Sequence, residues 1–293
     1  MDLFALVAAF GGGLIGAYMG ALPAFILTGV VALVGGVVSI AGGADLAIGA
    51  IAFGSYLGPH VSFAGGVAAA GYAAKRKKLS SGTDILSSLN GLQDPMTLVV
   101  GGVFGVIGFL LCYFYGSVLK LNTDLPGSVV VTSAIIVRLA FGTTGLFGEK
   151  PEGDRKFLTM GDGLICNILL GLGVGIATSF VYASLIKSGV DPALLGSYPV
   201  ICFGIAAVSL VFAQTGFATP ATHHIALISA LAAVMSGSPI IGALFGVIAV
   251  LFGDFFAKTF NSNCDTHIDP PAFTIFTLTF ALNLIFGTGL INS

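Results

Sequence analysis

Histidine is scarce in this chain, and its placement carries the first chemical argument. Four occur in 293 residues, and three of them follow a proline within a few positions. Pro59-His60 precedes the short apolar run FAGGVAAAGYAA, and Pro220-Ala221-Thr222-His223-His224 precedes ALISALAAVM. A helix that begins at such a point leaves its first N–H groups unpaired and turns the positive end of its dipole outward. An imidazole in that first turn can donate to, accept from or exchange a proton with a bound solute. His60 and His224 form a pair in this reading, with Pro59, Ser62, Thr222 and His223 beside them as substrate-binding residues and Tyr56 as a further polar partner. The plainer reading has these histidines capping helices at a membrane surface. Their matched placement in the two halves favours the functional one.

Ionisable residues inside apolar stretches form a second set. Arg138 stands in SAIIVRLAFG, where the second half has Asn283 in FALNLIFG. A guanidinium in such a run faces the bundle interior and pairs with a carboxylate or an anionic solute, so Arg138 and Asn283 join the substrate-binding set. Asp254, in AVLFGDFFAK, is assigned to ion coupling. A structural Arg–Asp pair, or snorkelling to an interface, is the plain alternative for both charges. Asp45 reads as a helix cap. In the polar stretch NSNCDTHIDPP, Asp265, His267 and Asp269 alternate, so an extended loop points them one way, to hold a cation or to gate through a protonatable imidazole. An ordinary cytoplasmic turn ahead of a proline-started helix is the weightier reading of that loop. The spacing matches no metal signature, and no cofactor is expected beyond a coupling ion, H+ or Na+.

These residues need a bilayer around them. The chain is 56% hydrophobic and 8% charged, against about 25% charged in a soluble domain. Its mean hydropathy is +1.04, and apolar runs long enough to cross a bilayer recur throughout. An all-α integral membrane protein follows. The net charge of −2 excludes a nucleic-acid partner, and the four scattered cysteines read as small apolar residues. The N-terminal stretch MDLFALVAAF lacks the basic start of a cleaved leader, so no cleavage is expected.

About ten spans are predicted, near residues 3–20, 24–41, 63–74, 96–119, 127–146, 163–186, 199–214, 222–236, 239–260 and 271–290. Residues 1–147 and 163–293 form two five-helix repeats joined by a cytoplasmic loop over 148–162. Val103-Phe104-Gly105-Val106-Ile107 matches Leu244-Phe245-Gly246-Val247-Ile248, and Leu139-Ala140-Phe141-Gly142-Thr143 matches Leu284-Ile285-Phe286-Gly287-Thr288. Between them, Asn122-Thr123-Asp124 sits opposite Asn263-Cys264-Asp265. An odd number of spans per half inverts the second copy. The basic run of residues 75–78 and the cluster Lys150, Arg155 and Lys156 then both lie in the cytoplasm, with both termini outside the inner membrane; Lys120 and Lys187 dissent.

Inverted repeats with short helices in matching positions place a substrate site at the bilayer midplane. The plan looks like that of urea and ammonium transporters in outline, an architectural analogy with no shared motif. The expected function is a permease, not an enzyme: a secondary transporter for a small polar solute, with Arg138 implying an anionic one. A passive channel of the urea or ammonium type and a membrane subunit of a larger complex are the alternatives. The glycine-rich spans, within a total of 43 glycines, suggest close helix contacts, including those of a homo-oligomer.

Overall fold

The computed structural model describes residues 3–44 and 47–287, and every regular element among them is helical. Asp45 and Thr288 lie outside the described residues. The first half holds α1 (Leu3–Met19), α2 (Ala21–Ile40), α3 (Ser62–Lys75), α4 (Pro95–Tyr113) and α5 (Leu125–Phe141). The second holds α6 (Asp162–Lys187), α7 (Tyr198–Val208), the one-turn α8 (Val211–Gln214), α9 (His223–Ser236), α10 (Pro239–Phe260) and α11 (Pro270–Ile285). Five stretches are long and apolar enough to cross a membrane: Ala21–Ile40, Pro95–Val118, Asp162–Lys187, Pro192–Gln214 and Pro239–Phe260. Leu3–Met19, Leu125–Phe141, His223–Ser236 and Pro270–Ile285 are shorter apolar helices.

Local sequence accounts for the helix ends. Proline occupies the first turn of α4, α5, α7, α10 and α11, where no intrahelical N–H is needed. α5 stops at Phe141, short of the predicted span, because Gly142 turns extended (ψ 164°) and the carbonyls beyond it are drawn to Arg138. The seventh span breaks after Val208, and the Ser209 hydroxyl there donates to the Ala206 carbonyl.

Packing is dominated by small residues. α1 lies on α3 and α4, and α3 on α4 and α5. Likewise α6 lies on α9 and α10, and α9 on α10 and α11. Across the halves, α2 packs on α7 and α5 on α11. A Cβ at Gly105 would meet Ala9 and Gly13 of α1, while one at Gly246 would meet Gly171 and Gly175 of α6. Backbones this close gain dispersion contacts that larger residues forbid. Gly12, Gly13 and Gly16 of α1 are therefore used inside the chain, against Val61, Ser62, Gly101 and Gly105, while Gly11 faces open space.

Polar and basic loops gather at one end of the bundle. The Lys75 ammonium donates to the Ala140 carbonyl at 2.6 Å, joining the ends of α3 and α5. Arg155 donates to the carbonyls of Phe147, Glu149 and Thr259, tying the 148–162 loop to the end of α10. Gly82 pairs with Thr266 in an isolated bridge at the same end.

Candidate functional site

Four helix starts meet at one half-open cavity of about 900 Å³. Its wall includes Pro59 and Phe63 at α3, Asp124 and Gly127 at α5, Pro220 and His223 at α9, and Asp269 and Ala272 at α11. The starts of α5 and α11 touch, since a Cβ on Gly127 would lie 3.0 Å from the Ala272 carbonyl oxygen. Each is capped by an aspartate. Asp124 accepts from the Gly127 N–H at 2.6 Å and Asp269 from the Ala272 N–H at 2.8 Å. The segment before each helix runs along the other. Asn122 accepts from the Asn283 amide on α11, and Thr266 accepts from Arg138 on α5. By this capping role the partner of Asp124 is Asp269, not the Asp265 that the Asn-x-Asp lookalike suggests, because the second loop is longer.

The histidines lie at the inner wall. His223 is 5% exposed, with its ring 4.8 Å from that of Phe25 and 5.8 Å from those of Phe203 and His224. His224 is equally buried and turns its Nε2 toward Gly253, where a Cβ would come within 2.6 Å of it. The Nδ1 atoms of His60, His223 and His224 are buried without a hydrogen-bond partner. Among the described residues the Oγ atoms of Ser133 and Ser179 and the Oε1 of Gln214 are buried and unpaired as well, but the three imidazoles share one residue type and stand at the starts of α3 and α9.

His60 lines a second cavity, of about 490 Å³, walled by Phe109, Cys112 and Tyr113 of α4 and by Gly116 in the turn that continues it. On α10 the main cavity is walled beside His224 by Val250, Gly253, Asp254 and Ala257. These are the same four positions at the offset that aligns Phe104-Gly105 with Phe245-Gly246. Phe53, Cys112 and Leu125 line both cavities.

His60 lines the smaller cavity, and the other residues singled out in the sequence as binding or coupling sites divide into two groups. Pro59, His223, His224, Asp254, His267 and Asp269 line the main cavity. His267 joins Asp269 through Nε2 at 3.1 Å and lies 3.3 Å from the Asn261 amide through Nδ1. Asp254 accepts from the Thr159 N–H and hydroxyl at 2.6 and 2.8 Å. Ser62, Thr222, Arg138, Asn283 and Asp265 do not line either cavity. The Ser62 hydroxyl closes the start of α3 on the Leu57 carbonyl at 3.0 Å, and Thr222 is the residue preceding α9.

Arg138 is 1% exposed, and its donors are taken up by the chain. Nε donates to the Thr266 hydroxyl, Nη1 to the carbonyls of Gly145 and Leu146, and Nη2 to those of Phe260 and Thr266. It holds the loop after α5 to the connection between α10 and α11 and has no N–H left to fix the charge of a solute. Asp265 serves the same end, accepting from the Thr143 N–H and the Thr143 and Thr144 hydroxyls at 2.6 to 2.9 Å. Among the described residues no three His, Cys, Asp or Glu side chains come together as a metal cage.

Sequence reasoning missed Asp124 and the phenylalanines of the wall. The signal for Asp124 was present: Asp124-Leu-Pro and Asp269-Pro-Pro each place an acid one residue before a helix with proline in its first turn.

The chain belongs to DUF7973, a family of unknown function, whose model matches residues 1–161 and 167–293. No curated protein and no solved structure matches it.

Proposed function

We propose that the chain is a secondary transporter, a multi-pass permease that moves a small solute through the cavity where the four helix starts meet. That convergence is the observation that carries the reading. A helix that begins inside the bundle is tolerated at membrane depth only where its free backbone lines protein or a cavity. α3 and α9 have 14 residues each, about 21 Å at 1.5 Å per residue, against a hydrocarbon thickness of about 30 Å.

Ten spans in two inverted five-helix halves belong to this proposal. It is supported by the like packing of α1, α3 and α4 on the one hand and α6, α9 and α10 on the other. The matched walls around His60 and His224 support it as well. With the basic loops of residues 75–78 and 148–162 placed in the cytoplasm, both termini lie outside. Self-association loses most of its argument, because three of the four α1 glycines, Gly12, Gly13 and Gly16, pack within the chain. Two separate cavities that share Phe53, Cys112 and Leu125 favour alternating access over an open channel.

The test is thermal stabilisation of the purified chain across a panel of small solutes, repeated on His60→Ala, His223→Ala and His224→Ala. A stabilising solute should also cross proteoliposome membranes, and its effect should vanish in His223→Ala and His224→Ala. Equal stabilisation of all variants would put the site elsewhere.

A further inference from the structure

We propose that the main cavity takes its solute as an organic cation, with Asp124 holding the positive head and the phenylalanines of the wall holding the apolar body. This deepens the permease reading and rests on it. The charges of the wall decide the sign. Asp124, Asp254 and Asp269 line the cavity, and no Lys or Arg does among the described residues. Each of the four helix starts contributes about +0.5, so about +2 in all faces three carboxylates. The balance favours a cation.

Asp124 is the carboxylate with capacity to spare. Asp254 is held by Thr159, and Asp269 by His267 and the Ala272 N–H. Asp124 accepts the single N–H of Gly127 among the described residues. An independent observation points to a ligand in the same cavity. His223 and His224 line the cavity, are 5% exposed, and leave their Nδ1 atoms unpaired. A neutral imidazole nitrogen can accept from an N–H donor.

Aromatic rings supply the rest. Phe25, Phe53, Phe63 and Phe203 line the cavity, with Phe25 5.8 Å from Phe63 and 5.5 Å from Phe203, and Phe53 5.8 Å from Phe203. Ring faces attract cations, and a carboxylate beside several rings is suited to an alkylated ammonium. A volume of about 900 Å³ is far beyond an alkali ion and within the range of about 300–1,000 Å³ that organic ligands occupy.

The experiment is calorimetric titration of the full-length chain in detergent with dipropylammonium, whose head keeps N–H donors, with sodium chloride and sodium hexanoate as comparison probes. Dipropylammonium should bind saturably, and Asp124→Asn should weaken it at least about tenfold, since truncating one side of a buried charge pair is costly. Asparagine remains a good helix cap, so folding should survive. Asp254→Asn removes one charge of the wall but not the free carboxylate, since Thr159 already holds Asp254, and should weaken binding less than Asp124→Asn does. Phe203→Leu keeps apolar volume but removes a ring face, and should also weaken binding. Preferential binding of hexanoate overturns the inference, as does sodium binding alone or an Asp124→Asn variant that binds like wild type. Hexanoate binding lost in His223→Ala would overturn the cation while leaving the permease reading in place; flux of no solute at all would remove the latter.

Discussion

Asp124 and Asp269 cap two helices that start against one another, with Gly127 of α5 at the Ala272 carbonyl of α11. The pairing joins the two halves of the chain at the cavity. It also places one acid on each of two facing dipoles that would otherwise repel. Each carboxylate thus satisfies a free N–H and offsets part of the positive end of its helix.

Removing either cap should cost stability without removing the fold. Asp124→Ala and Asp269→Ala are each expected to lose about 1 kcal/mol, the usual effect of losing an N-cap, and Asp124→Asn much less. Asp269→Ala should cost the more of the two, because it also strands His267. Thermal unfolding of the purified variants reads the order directly.

Arg138 should behave as a structural post. Arg138→Met keeps volume but leaves the carbonyls of Leu146, Phe260 and Thr266 without their donor. At about 1–3 kcal/mol for each buried group left unsatisfied, a loss of several kcal/mol is expected. Arg138→Lys should recover only part of it, since one ammonium cannot reach all of these carbonyls at once. A variant that unfolds like wild type but fails to bind solute would instead return Arg138 to the site.

The glycine seams give a paired steric test. Gly105→Ala and Gly246→Ala each drive a methyl group into the facing backbone, and a loss of about 1–3 kcal/mol is expected from overpacking. Gly173, on α6, has nothing within 4 Å of an added Cβ. Gly173→Ala should therefore be neutral or slightly stabilising, by up to about 1 kcal/mol of helix propensity. Equal losses at Gly105 and Gly173 would mean that packing is not what these glycines serve.

The helices and their starts were legible in the sequence because apolar runs, prolines and glycines act locally. Pro59, Pro220 and the short runs behind them place α3 and α9 within a residue or so of where they begin. What a side chain would face was harder. Arg138 in an apolar run signals only that its charge must be met, and loops distant in sequence meet it as well as a solute would. Asp124 was aligned with Asp265 because the flanking residues look alike. Only the meeting of α5 and α11 distinguishes a cap from a loop acid. The aromatic wall comes from α2, α3, α7 and the segment before α3, so no single stretch announces it.

Asp265 gives the loop end of the bundle a pH dependence. Desolvation pushes its carboxyl up, but the N–H and hydroxyl of Thr143 and the hydroxyl of Thr144 outweigh that and hold it below the ordinary value. A depressed folded-state value contributes stability above the unfolded value, about pH 4, and loses it as pH falls through the folded one. Between pH 7 and pH 3 the Tm gap between wild type and Asp265→Asn should therefore narrow. A gap that stays constant to pH 3 would show that the carboxylate is not stabilising the Thr143–Thr144 turn.

Phe109 and Val250 occupy matched positions on α4 and α10, one in the smaller cavity and one in the larger. If the two halves exchange roles during transport, the cavity that is large in one state becomes the small one in the other. The structure then corresponds to one end of the cycle, with Phe53, Cys112 and Leu125 as the barrier. Single cysteines at the two positions should report this, in a background with Cys112, Cys166, Cys202 and Cys264 changed to alanine. A membrane-impermeant maleimide should label Val250→Cys from one side and Phe109→Cys from the other. A transported solute should shift the two rates in opposite directions, because opening one path requires closing its partner. A channel predicts something different: both positions label from both sides, at rates that solute lowers together by occupying one pore. Reciprocal change in a pair of residues so far apart in sequence can arise only from coupled movement of the two halves, which makes this the measurement that separates carrier from channel.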